Sequence, residues 1–139
     1  SGTPYGFKTI LQARDILLKQ NAFIVAPCTH SNPCPWQKGN PWCHFSTRFE
    51  RTRLQKRVKG AELGYEDEKY SYLIVSKIPL LRPESRIVKS PVKRSGFISL
   101  TLCDSTGIHD QIFSKKQKEP YLAAKKLEWG DELNYTERV

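Results

Sequence analysis

Four cysteines carry the clearest chemistry in this sequence. Five residues separate Cys28 from Cys34, eight separate Cys34 from Cys43, and Cys103 stands far downstream. In a chain with no visible secretory leader, cysteines serve metal ligation more than disulfides. Structural zinc usually takes ligands from tight C-x2-4-C knuckles. Neither pair here is that tight. The loop is wide, stiffened by Pro33, Pro35 and Pro41, and its fourth thiol belongs to a distant segment. Such a loop can wrap an object larger than one ion, and a cubane iron–sulfur cluster takes four cysteine thiolates. Pro27 and Pro35, each beside a cysteine, suit such a loop. His30 and His44 can replace a thiolate on zinc. The spacing favours a metal site over disulfides, with zinc and iron–sulfur equally compatible. The bland reading of Cys103, next to Leu102, is a buried free thiol.

A basic run follows at once. Arg48, Arg51, Arg53, Lys56, Arg57 and Lys59 fall within twelve residues, opposed inside the run only by Glu50. Read as a helix over 45–58, the run spreads positive charge over more than one face. That suits a phosphate backbone better than base reading in one groove. Trp36, Trp42, Phe45 and Phe49 lie beside it and offer stacking surfaces for unpaired bases. For Phe45 and Phe49 core packing is the expected role. Further basic clusters stand at Lys89, Lys93 and Arg94, and at Lys115, Lys116 and Lys118. The acidic group Glu62, Glu66, Asp67 and Glu68 reads as a surface turn that pairs with the basic helix.

The whole chain agrees with an anionic partner. It has 139 residues and a formal charge of +9, which makes nucleic acid the first candidate and an anionic membrane surface the second. No apolar run approaches the ~20 residues that span a bilayer. No Ser-His-Asp pattern, phosphate-binding loop or dinucleotide fingerprint occurs, so catalysis by this chain has little support.

The elements that must position these groups follow from periodicity. Thr9 to Lys19 repeats apolar residues with helical spacing, after a loop-like GTPYG. Ala22 to Ala26 is a short apolar run with the look of a buried parallel strand, ending at Cys28's doorstep. Lys69 to Lys77 reads as a second strand. Ile78 to Ser85, broken by two prolines, reads as a linker. Arg86–Lys89, Gly96–Cys103 and Gly107–Ser114 read as short strands, the last two joined by a turn at 104–107 with Cys103 near it. Tyr121 to Leu127 reads as a short helix, followed by a polar tail.

Several stretches together resemble one family. These are GTPYGF with Ala13 and Arg14, Ala26-Pro27-Cys28, PCP at 33–35, WCHFS at 42–46, GYEDEKYSY at 64–72 and AAKKLEWGDEL at 123–133. They resemble the carboxyl-terminal half of the methyltransferase-like mitochondrial small-subunit ribosomal and assembly proteins, the relatives of methyltransferase-like protein seventeen. The resemblance covers nearly the whole chain. It implies an α/β fold, the C-terminal part of a Rossmann-like methyltransferase fold with a cysteine-rich insertion and a small β-rich C-terminal segment. On that division 1–27 and 61–78 belong to the Rossmann-like part, 28–60 to the cysteine loop and basic helix, and 86–139 to the β-rich segment.

The resemblance also implies a [4Fe-4S] cluster on Cys28, Cys34, Cys43 and Cys103, which moves that cofactor ahead of Zn2+. It implies small-subunit ribosomal RNA and mitochondrial ribosomal proteins or assembly factors as partners, no membrane, and a mitochondrial matrix location. The family's S-adenosylmethionine pocket lies upstream of GTPYGF, so that cofactor is expected only in the full-length protein, if at all. The rival readings are an active ribosomal-RNA methyltransferase and a zinc-stabilised RNA-binding module.

Overall fold

The computed structural model describes residues 1–134. In chain order the elements are α1 (Pro4–Lys19), β1 (Phe23–Ala26), β2 (Phe45–Glu50), α2 (Arg53–Lys59), β3 (Tyr65–Tyr70), β4 (Ile74–Ser76), β5 (Ser85–Ile87), β6 (Val92–Lys93), β7 (Phe97–Asp104), β8 (Gly107–Ser114), α3 (Glu119–Lys125) and β9 (Glu132–Leu133). The architecture is mixed α/β with three small sheets. It is consistent with part of a methyltransferase-like fold.

Helix α1 begins five residues earlier than the apolar spacing predicts. Thr3 is its N-cap and accepts from the Gly6 amide, and Pro4 occupies the first turn, where a missing N–H costs nothing. Gly2 is needed for close approach. A Cβ there would stand 2.4 Å from the Lys69 carbonyl carbon, so α1 could not begin against the end of β3 with any other residue.

The expected parallel strand is real but paired otherwise. β1 runs antiparallel to β4, Phe23 opposite Ser76, with an irregularity between Ile24 and Ala26. An apolar run announces burial, not the direction of its neighbour. In this pair only Ile24 of β1 is fully buried. The single strand read over 69–77 is two strands, the end of β3 and β4.

The expected helix over 45–58 is also corrected. Phe45–Glu50 is a strand, paired antiparallel with β3 in the register Phe45↔Tyr70 to Glu50↔Tyr65. Alternation in FSTRFE and the β-branched or aromatic residues Thr47, Phe45 and Phe49 suit a pleated surface. Opposite charges also meet across the pair, Arg48 facing Asp67. Only the end of the basic run is helical. A capping box between Thr52 and Gln55 opens α2, and Gly60 closes it at φ 58°, a left-handed position that favours glycine.

The remaining strands form a five-stranded sheet in which β7 is central: it pairs with β5, β6 and β8, while β9 pairs β5. The turn at 104–107 is the one expected. Asp104 accepts there from the Thr106 amide at 2.8 Å and the Thr106 hydroxyl at 2.6 Å. Strand β7 has two faces. Ile98, Leu100, Leu102 and Asp104 are buried, and Cys103 lies on the alternate side. The core packs Ile87, Ile98, Leu100, Leu102, Phe113 and Leu133 beneath Tyr121 and Ala124 of α3.

Candidate metal centre

The structure brings the four cysteines to one place. Cys28 follows β1, Cys34 lies in the proline-rich loop, Cys43 precedes β2, and Cys103 comes from β7. All four line a single cavity whose other walls are mostly apolar, among them Phe7, Leu11, Phe45, Leu73, Val88 and Ile108. None is in a disulfide. Among the described residues, no three His, Cys, Asp or Glu side chains stand as a single-ion site.

Each part of the cavity wall is tied down by its own bonds. Thr29 donates to the Cys103 carbonyl at 3.3 Å, and the Asn32 amide donates to the Ser105 carbonyl at 3.3 Å. The Cys28–Cys34 loop is thereby laced to the end of β7. Ser71 donates to the Cys43 carbonyl at 2.9 Å. Trp42 donates from its indole to the Gly2 carbonyl at 2.8 Å. Two buried arginines hold the base: Arg14 donates to the carbonyls of His30 and Asn32, and Arg86 to those of Pro27 and Gly130. In the sheet Arg86 also stands opposite Cys103. Sequence reasoning missed both arginines as parts of the site; Arg14 was noted only as part of a motif.

The surroundings of the thiols are unfavourable to charge. Burial pushes the Cys43 thiol strongly up, and the neighbouring Cys28, Cys34 and Cys103 push it further. Burial, then Cys28 and Cys34, raises Cys103 to about 12. Burial also raises Cys34. The Cys34, Cys43 and Cys103 sulfurs cannot all ionise together without a cation among them. The donor set, thiols with no carboxylate in the described lining, suits soft iron or zinc rather than a hard ion.

The two histidines part company. His30 lines the cavity with Nε2 3.6 Å from the Cys103 sulfur. His44 instead stacks on Trp42 at 4.8 Å and meets Trp129 edge-on at 5.1 Å. Trp36 lines the cavity, whereas Trp42 is held by His44 and the Gly2 carbonyl. Phe45 is core, beside Tyr70 and Tyr72. Phe49, expected in the core, is 54% exposed. It shares Phe45's face of β2, but burial decreases along that strand away from Cys43.

The basic residues divide into two sets. Arg48 pairs with Asp67 at 2.7 Å and lies 3.9 Å above the Tyr65 ring. Arg51 and Lys59 both pair with Glu66, at 3.4 Å and 2.8 Å. Acidic and basic runs therefore do pair, but strand to strand and strand to helix, not turn to helix. Arg53, Lys56 and Arg57 have no ion pair among the described residues.

These pairs set a pH dependence. The Lys59 and Arg51 bonds hold Glu66 below its ordinary 4.5, and the Arg48 bond holds Asp67 below its ordinary 3.8. A lowered folded-state pKa adds stability above the ordinary value, lost as pH falls through the folded one. The β2–β3 pair and α2 are expected to lose amide-exchange protection below about pH 4 before the five-stranded sheet does. Asp67→Asn should flatten part of that acid limb.

A family model described as mitochondrial small ribosomal subunit Rsm22 matches residues 1–134. The chain belongs to the Rsm22 family. Relatives include the Rsm22-cox11 tandem protein 2, mitochondrial, of Schizosaccharomyces pombe, 28% identical over 94% of this chain and 23% of that protein. Another is the human ribosome assembly protein METTL17, mitochondrial, 29% identical over 96% of this chain and 31% of that protein. This Rsm22-family chain thus spans about a quarter to a third of the length of these relatives. Both are named mitochondrial, which bears out the expected mitochondrial location. No helix among the described residues is long and apolar enough to cross a membrane.

Proposed function

We propose that this chain is an RNA-contacting part of a mitochondrial small-subunit assembly protein, tied together by a [4Fe-4S] cluster on Cys28, Cys34, Cys43 and Cys103. The observation that carries the reading is the convergence of these four thiols, three from the β1–β2 loop and one from β7, on one mostly apolar cavity. Supporting it are the Rsm22 family membership and relatives named for ribosome assembly. A cluster supplies the positive iron core that four neighbouring thiolates require, and it does so over a wider space than one zinc ion. Its role here is structural. It fastens the Cys28–Cys43 loop and the root of β2 to β7. The RNA-facing charge is on α2, where Arg53, Lys56 and Arg57 are unpaired among the described residues.

Two measurements test this. Protein purified without oxygen is expected to carry iron and acid-labile sulfide; zinc in their place overturns the cluster and favours the zinc module. Replacing Arg53, Lys56 and Arg57 together by Gln is expected to flatten the salt dependence of small-subunit RNA binding. The log–log slope should drop by about 2 to 3, at roughly 0.7–0.9 per lost phosphate contact. Replacing Arg48, Arg51 and Lys59 should change it less, because carboxylates already hold them. Equal effects from both triples refute the division, and no effect from either removes RNA contact from this segment.

A further inference from the structure

We infer that Arg14 is the buried counter-cation of the four-cysteine site, balancing its negative charge and setting how readily it accepts an electron. The inference rests on the cluster reading above. Arg14 is 3% exposed and lines the same cavity as the thiols. Its Nη2 donates to the carbonyls of His30, at 3.3 Å, and Asn32, at 2.7 Å. Its Nε is buried without a partner. Among the described residues no carboxylate pairs with it, and none lines the cavity.

A guanidinium does not deprotonate in a protein, and an uncompensated buried charge costs several kcal/mol. Asp104, buried beside Cys103, is a negative group near the site but outside the cavity lining; within the cavity, compensation comes from the lining itself. The groups there able to carry negative charge are the thiols and the Tyr72 phenol, and burial raises Tyr72 above its ordinary 10.0. Cysteine ligands bind as thiolates, and an oxidised cubane core with four thiolates is a dianion. Arg14 and that dianion satisfy each other. Arg86 is a useful contrast. It is also buried and its charge reaches Cys43, but Glu132 at 3.2 Å already offsets part of that charge.

The test uses the full-length protein, loaded anaerobically with iron and sulfide, as Arg14→Gln, Arg14→Lys and Arg86→Gln. Gln keeps a donor for the carbonyls and removes the charge. Dithionite titration supplies one electron to the oxidised cluster. Arg14→Gln is expected to make that reduction about tenfold less favourable, a shift of ~59 mV to more negative potential for a one-electron couple, and to speed iron loss to a chelator. Arg14→Lys should stay near the wild-type potential, and Arg86→Gln should move it less than Arg14→Gln. An unmoved potential in Arg14→Gln, or equal shifts in the Gln and Lys variants, overturns the inference while leaving the cluster intact. Wild-type protein that holds no iron and sulfide ends the cluster reading and this inference with it. Should Arg14→Gln fail to fold, phenylglyoxal decides on the wild type. Arg14 is expected to react faster once the cluster is stripped, and equal rates with and without it overturn the inference.

Discussion

Cys43→Ser is expected to reduce bound iron and sulfide to background and to loosen the chain on both sides of the cavity. Serine is a poor ligand for soft iron, and Cys43 lines the cavity with the other three thiols. The backbone there is also committed, since Ser71 donates to the Cys43 carbonyl and the next two residues enter β2. Amide exchange should therefore quicken through 28–43 and into the β2–β3 pair and α2, with little change in the five-stranded sheet. Small-subunit RNA affinity should fall roughly tenfold, the scale of ~1.4 kcal/mol of lost ordering. If the iron is lost while α2 protection and RNA affinity both persist, the cluster and the RNA-facing helix are not coupled.

Leu102→Ala is expected to be the most damaging single change to the sheet. Leu102 is fully buried, next to Cys103, opposite Ile87 on one side and His109 on the other. Truncating it removes apolar contact and leaves a cavity, together ~2–5 kcal/mol. For a chain of this size that lowers the melting temperature by roughly 10 °C. Cys103→Ser removes a ligand without that hole and should spare most of the melting temperature of the apo protein. If Leu102→Ala instead melts like the wild type, β7 is not the support of the site. Comparing the two separates loss of a ligand from loss of the strand that presents it.

Much of the site was legible in the residues. Four thiols on a proline-stiffened loop and one distant strand suggested a shared site, and they line one cavity; AspSerThrGly announced the turn beside Cys103. Strands β5, β7 and β8 and helix α3 also followed from periodicity, within one or two residues, whereas the two-residue β6 and β9 were not expected. What failed was the chain just after Cys43. Its arginines and lysines are good helix formers, and Phe45 and Phe49 stand at a spacing shared by one helical face and one strand face. Only β3, with Asp67 and Glu66 placed to meet Arg48 and Arg51, decides between them, and a partner strand is not visible in a local window. The direction of β1 was hidden for the same reason. Arg14 and Arg86 escaped notice because a cation in a helix or strand reads as solvated until its surroundings are known.

The β2–β3 pair can finally be seen as a cantilever. It is rooted at one end, where Phe45, Tyr70 and Tyr72 pack and Ser71 grips Cys43, and it becomes exposed toward the end that carries α2. Six residues of strand reach ~20 Å. A tilt of about 10° at the root therefore displaces the far end by ~3.5 Å, more than the ~2.9 Å length of a hydrogen bond to a phosphate oxygen. Aim at the tip is set by stiffness at the root, so on the proposed reading small packing changes at Phe45 are leveraged into gained or lost phosphate contacts at Arg53, Lys56 and Arg57.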